Sequence, residues 1–127
     1  MAKRIGGRPS AGKPGSAAYV PGAGDLVWFS FSPQVGREQA GRRPALVLSP
    51  RVYNSKTGLC LICPITSHAK GFPFEVHLPE GLPVAGVVLS DHVKNNDWRD
   101  RHAEYIDSVP TDVLDEVRAK LLPLLGM

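Results

Sequence analysis

No stretch of this chain approaches the ~18 to 20 consecutive apolar residues that a membrane-spanning helix needs. The basic N-terminus also lacks the apolar core of a signal peptide. Both absences point to a cytoplasmic protein with no membrane role. Cysteine is scarce: Cys60 and Cys63 are too few and too close in sequence to be the disulfide scaffold of a small secreted protein. Acidic residues are missing altogether from residues 1 to 18, which carry Lys3, Arg4, Arg8 and Lys13. The formal charge of +3 comes from 15 Lys and Arg against 12 Asp and Glu, so removing those four bases leaves 11 against 12, or −1, for residues 19 to 127. The basic balance is therefore an effect of the first segment, not of the domain. What remains is ordinary: 127 residues, 43 % hydrophobic and 21 % charged, are enough for one domain with a real core and too few for a multidomain machine.

Residues 1 to 18 are rich in Gly, Pro, Ser and Ala and have almost nothing to bury, which predicts a flexible basic tail ahead of a single domain over 19 to 127. From Asp25 onward the pattern is of short strand-like runs at 25 to 31, 45 to 49, 59 to 65, 74 to 78, 85 to 90 and 103 to 109. Gly-, Pro-, Asn- and Ser-rich turn segments separate them, YNSKTG (53 to 58) among these. The runs 45 to 49 and 59 to 65 are nearly continuous in apolar residues, as in strands buried on both faces, and should be central. A terminal helix is expected after Pro110, with acids in its first turns, a stop at Gly126 and one apolar stripe of Val113, Leu114, Val117, Leu121, Leu124 and Leu125. The expected fold is mainly β with a C-terminal helix, a small antiparallel barrel capped by that helix.

Two segments carry chemistry. Gly36-Arg37-Glu38-Gln39-Ala40-Gly41-Arg42-Arg43-Pro44 sets three guanidinium groups and a carboxylate in a Gly-flanked loop leading into a buried strand. A guanidinium matches phosphate through a planar fork, and Arg43 is held beside the strand. Pro64-Ile65-Thr66-Ser67-His68-Ala69-Lys70-Gly71 adds two hydroxyls, an imidazole and an ammonium after an apolar run, although a Thr-Ser turn bonding its own backbone also suits this pattern. Together they supply the parts of a metal-free phosphodiester cleavage: donors for a pentacoordinate oxyanion, a base for a 2′-hydroxyl and an acid for the leaving oxygen.

Tyr19-Val20-Pro21, Gly24-Asp25-Leu26-Val27-Trp28, Glu38-Gln39-Ala40-Gly41 and Arg43-Pro44-Ala45-Leu46-Val47-Leu48-Ser49-Pro50 follow one another in order. Tyr53-Asn54, Lys56-Thr57-Gly58, Pro64-Ile65-Thr66, Lys70-Gly71, Pro73-Phe74-Glu75-Val76 and Asp91-His92-Val93-Lys94 continue the series. In this collinear set the chain resembles the MazF (PemK-like) toxins of toxin-antitoxin systems, from about Tyr19 to Gly126. The resemblance implies an SH3-like barrel of the PemK/CcdB type, a homodimer with two RNA sites, and a metal-independent endoribonuclease without cofactor. Such an enzyme cuts single-stranded RNA (mRNA) at short motifs, leaving 2′,3′-cyclic phosphate and 5′-hydroxyl ends, and so stops translation. It also implies a cognate MazE-type antitoxin that lays an extended, often acidic segment over the RNA site. By position, Arg43 and Thr66 match the residues most tied to catalysis, with Glu38 as their loop partner. Readers of RNA bases would come from Arg42, Tyr53, Asn54, Lys56, Ser67, Lys70, Asp91, His92 and Lys94, since single-stranded RNA is recognised by stacking and edge hydrogen bonds. Ser67-His68-Ala69 and His92 depart from the family pattern, so the cut motif does not transfer.

Other signals have plainer readings. Cys60-Leu-Ile-Cys63 has the spacing of half a zinc or redox motif, but it lies in an apolar strand with no second pair at a suitable distance, so core packing is expected. The four histidines, at 68, 77, 92 and 102, suggest a two-histidine ribonuclease; only His68 and His92 border the proposed site. Trp28 is expected to anchor the core, and Trp98 to pack on the dimer or cover a barrel end. Rival functions are a CcdB-like gyrase poison, which shares the barrel, and a catalytically silent RNA-binding barrel. If Glu38 is the base, Glu38→Gln should lower the single-turnover rate of RNA cleavage and flatten the acidic limb of its pH profile; an unaltered profile would exclude that role.

Overall fold

The computed structural model describes residues 18–31 and 41–127. The expected tail, Ala18 apart, and Glu38 therefore lie outside the described residues. Among the described residues, seven strands and two helices follow in order: β1 (Asp25–Ser30), β2 (Arg42–Val47), α1 (Arg51–Thr57), β3 (Leu59–Thr66), β4 (Glu75–His77), β5 (Val87–Leu89), β6 (Lys94–Asp97), β7 (Glu104–Ser108) and α2 (Thr111–Leu124). The mainly β chain with a C-terminal helix is as expected. The ladder runs β4-β5-β3-β2-β1-β7, with β6 on the same edge of β3 as β5, and the hydrogen-bonded sheet stops at β4 and β7 without closing on itself.

β2 and β3 are central because both of their faces are covered. Along β1 and β2 alternate residues go to opposite sides. Leu26, Leu46 and Leu48 join Cys63, Ile65, Val76 and Val88 under α2, whereas Val27, Phe29, Ala45 and Val47 join Cys60, Ile62, Tyr19 and Trp98. Antiparallel pairing sets Leu46 opposite Cys63 and Val47 opposite Ile62, so each core draws matched residues from both strands. Cys60 and Cys63 thus belong to different cores on opposite faces. Burial pushes each thiol up to about 12, with Asp97 a lesser cause for Cys60 and Asp91 for Cys63.

The second edge of β3 carries a detour. Val87 and Val88 pair with Thr66 and Ile65, and Lys94 to Asp97 pair with Ile62 to Leu59. The register shifts by three residues between the two stretches, taken up by a 3-10 turn at Ser90–His92. β6, with sequence KNND, has a poor strand composition, and pairing with the edge of β3 overrides it.

α1 replaces the turn expected at 53 to 58. Its brackets are visible in the sequence: Pro50 stands before the first turn, and Gly58 (φ 76°) sits in the left-handed position after the last. Two turns are too short for helical periodicity to show. Tertiary bonds hold it instead. Asn54 is fully buried; its Oδ1 accepts from Ser49 Oγ (2.6 Å), and its Nδ2 donates to the carbonyls of Pro21 (2.8 Å) and Ser49 (3.0 Å). Its own carbonyl accepts from Trp98 Nε1 at 2.8 Å. Next to it, buried Asp25 accepts from Tyr19 Oη (2.7 Å), the Gly22 N–H (3.0 Å) and Arg51 Nη2 (3.3 Å). Burial, and then the Asp25 carboxylate, raise the Tyr19 hydroxyl's pKa far above its usual value, so it stays a donor.

Only the first half of the α2 stripe is core. Val113, Leu114 and Val117 are buried and Leu121 is partly so, but Leu124 and Leu125 are exposed, because the helix runs on past the sheet it covers. Trp28 is also 37 % exposed, not a core anchor, while Trp98 is buried as the cover of the second core. Asn54→Ala would leave Ser49 Oγ without its acceptor and two carbonyls without their donor in a dry site. It is expected to cost about 2 to 4 kcal/mol of unfolding free energy, read from the urea midpoint at constant m-value.

Candidate active site

Arg42 and Arg43 belong to β2 itself and not to the loop before it, since the strand begins three residues ahead of the apolar run. Pro44 masked this in the sequence; it is accommodated opposite Trp28 of β1. As neighbours on a strand the two arginines project to opposite sides. Arg42 is tied down: its guanidinium donates to Ser30 Oγ (3.1 Å), the His102 carbonyl (2.9 Å) and Glu104 (2.9 Å). The Arg43 side chain is exposed and, among the described residues, makes no ion pair or hydrogen bond.

Continuing the β2–β3 register two residues past Ala45 opposite Pro64 sets Arg43 level with Thr66. The two side chains meet in a cleft of about 390 Å³ lined also by Pro44, Ile65, Ser67, His68, Val84 and Ala85. Thr66 Oγ1 accepts the backbone N–H of His68 at 3.2 Å, which leaves the hydroxyl proton available to a ligand. That is the Thr-Ser turn anticipated from the sequence, and it builds the cleft wall instead of replacing it. Ser67 Oγ lies 3.4 Å from His68 Nδ1.

The wall is braced from behind. Glu75 is buried, and its carboxylate accepts the N–H groups of Lys70 (3.0 and 3.2 Å) and Gly71 (3.0 Å), closing the loop after Thr66. Lys120 of α2 donates to the Pro73 carbonyl at 2.7 Å. Gly86 (φ 129°) lies against Thr66: a Cβ there would collide with the Thr66 carbonyl oxygen and come within 3.1 Å of Ser67 Cα.

The other expected readers are dispersed. Asn54 is corrected from a base reader to a buried structural residue, because its amide is wholly used inside the protein. Arg42 is pinned to Glu104, on the opposite side of β2 from Arg43. Tyr53 Oη accepts from Asn95 at 3.1 Å, and neither Tyr53 nor Lys56 lines the cleft. Lys70 is an exposed side chain on the braced loop. Asp91 and His92 face each other at 3.8 Å on the 3-10 turn, and the Lys94 ammonium lies 5.9 Å from the centre of the Phe31 ring. A two-histidine arrangement is not assembled: His68 lines the cleft and His92 does not. Sequence reasoning missed Glu75 and Gly86 as supports. A Gly inside an apolar strand run was the available signal for the second.

Residues 23–125 match the family model of the PemK-like, MazF-like toxin of type II toxin-antitoxin systems. The chain belongs to that family. It is 50 % identical over 108 residues to the endoribonuclease toxin MazF of Escherichia coli K12, covering 85 % of this chain and 96 % of that one. The crystal structure of MazF from Deinococcus radiodurans superposes with a TM-score of 0.79 at 63 % identity, over 86 % of this chain and 99 % of that one. A MazE–MazF complex from the same organism matches with a TM-score of 0.77 at 59 % identity, over 86 % of this chain and 98 % of that one. In this toxin-family chain the site rests on the Gly86 contact. Gly86→Ala combines positive-φ strain with a backbone collision, whereas Gly81 (φ 98°) has open space around it. Gly86→Ala is expected to lower the unfolding free energy by about 2 to 4 kcal/mol and Gly81→Ala by about 1 kcal/mol, compared by urea denaturation.

Proposed function

We propose that this chain is the endoribonuclease toxin of a type II toxin-antitoxin system, cleaving single-stranded RNA without a metal ion. The observation that carries the reading is the pairing, in one cleft, of Thr66 with an arginine left unengaged by the described residues. Most other described guanidinium groups are committed: Arg42 to Glu104, Arg51 to Asp25, Arg101 to the carbonyls of Ser30 and Phe31, Arg118 to the Leu48 carbonyl. An unpaired guanidinium in a cleft presents a fixed positive charge to an anion.

In this reading the 2′-hydroxyl oxygen attacks the adjacent phosphorus, the P–O5′ bond breaks, and a 2′,3′-cyclic phosphate and a 5′-hydroxyl result. Arg43 stabilises the charge that grows on the nonbridging oxygens, and the Thr66 hydroxyl donates to one of them. Glu38 serves as the base. Ser67 and Lys70, on the braced loop, contact the bases or backbone next to the cut, and Tyr53, Lys56, Asp91, His92 and Lys94 are readers further along the strand. The toxin acts in the cytoplasm as a homodimer and is silenced by a MazE-type antitoxin, a partner supported by the solved Deinococcus complexes. No helix among the described residues is long and apolar enough to cross a membrane.

Incubating the purified protein with a long single-stranded RNA in EDTA tests the reading. Defined fragments with cyclic-phosphate ends are expected, and Arg43→Ala should slow their formation by about 10²- to 10³-fold. No cleavage by the wild type would overturn it in favour of a gyrase-poisoning or non-catalytic barrel.

A further inference from the structure

The cleft has an electrostatic clamp and a hydroxyl donor, but the leaving 5′-oxygen needs a proton. An arginine is ill suited to give one, because a guanidinium holds its proton too tightly to be a useful acid at working pH. Serine and threonine hydroxyls are weaker donors of a whole proton than an imidazolium. Of the described polar side chains lining the cleft, Arg43, Thr66, Ser67 and His68, the imidazole alone belongs to a class that exchanges protons near neutrality.

His68 is placed for that work. It follows Thr66 by two residues, and its backbone N–H is fastened to Thr66 Oγ1 at 3.2 Å, so the ring's origin is fixed relative to the hydroxyl that meets the phosphate. Nδ1 has one long contact, 3.4 Å to Ser67 Oγ, and Nε2 has no hydrogen bond among the described residues. The residue is exposed, so solvent can reprotonate the ring between turnovers. Among the described residues, the charged groups near it are Arg43 from β2, the exposed Lys70 on its own loop, and Glu75, which is spent on the Lys70 and Gly71 N–H groups; the facing segment contributes Val84 and Ala85 to the lining.

We propose that His68 is the general acid of this chain, a catalytic residue that gives its Nε2 proton to the 5′-oxygen as the P–O5′ bond breaks. The inference rests on the endoribonuclease reading. The 2′-oxygen forms the new bond to phosphorus and its proton passes to the base. The electron pair of the P–O5′ bond leaves on the 5′-oxygen, which takes the proton from His68. Neutral His68 then regains a proton from water. No oxidant, reductant or further reactant is required.

The test uses the full chain and a mapped cut site on a defined RNA, prepared with either the natural oxygen or a bridging sulfur at the 5′ position of the broken bond. A thiolate leaves without protonation. His68→Gln is expected to slow single-turnover cleavage of the oxygen substrate by about 10²-fold and to remove the basic limb of its pH profile. It should cleave the sulfur substrate at a near-wild-type rate. His68→Lys, which replaces the imidazole by an alkylammonium, should not rescue the oxygen substrate at neutral pH. Equal loss on both substrates, or an unchanged rate and limb on the oxygen substrate, overturns the assignment while wild-type cleavage upholds the endoribonuclease reading. Failure of the wild type to cut either substrate overturns both.

Discussion

Burial of β2 and β3 on both faces is the constraint from which the site follows. Ala45, Val47, Cys60 and Ile62 serve one core; Leu46, Leu48, Cys63 and Ile65 serve the other. A slip of one residue would exchange these sets, sending each side chain into a space shaped for its neighbour, so the register is held by two cores at once. Arg43 is two residues beyond Ala45 and Thr66 two beyond Pro64, at the exit of that locked ladder. Their proximity is therefore a by-product of core packing. Two side chains brought together in this way need no dedicated contact with each other, and among the described residues the Arg43 guanidinium has no partner while the Thr66 hydroxyl keeps its proton to donate.

Much of this was legible in the chain. The continuous apolar runs marked the two central strands, and the acid-first, Gly-terminated pattern after Pro110 marked α2, because both signals are set by local periodicity and burial. β6 and α1 were not legible. KNND acquires strand geometry only from the edge of β3, and α1 is a two-turn helix whose stabilising partners, Ser49, Pro21 and Trp98, lie outside it. The site divides in the same manner. Arg43, Thr66 and Ser67 were identifiable from residue type and order, and the cleft unites them. Asn54 misled because an amide in a polar segment looks the same in sequence whether it faces water or a dry hub.

The charges follow a parallel logic. The adjacent arginines of β2 have opposite assignments, Arg42 closing the far side of the sheet through Glu104 and Arg43 left to the cleft. Strand alternation alone separates a cation tied into the sheet from one that lines the cleft here. Composition cannot see this distinction, which is why a domain near −1 can still present an exposed arginine in a cleft.

The loop after Thr66 is fixed at its two ends and unburdened in its middle. Thr66 belongs to the ladder, Glu75 grips Lys70 and Gly71, and Lys120 reaches Pro73, while the side chains of Ser67, His68 and Ala69 are exposed and owe nothing to either core. Those three positions form an exchangeable cassette in a rigid frame. Substitutions at these three positions are expected to change the chemistry that the cleft offers at little cost to folding.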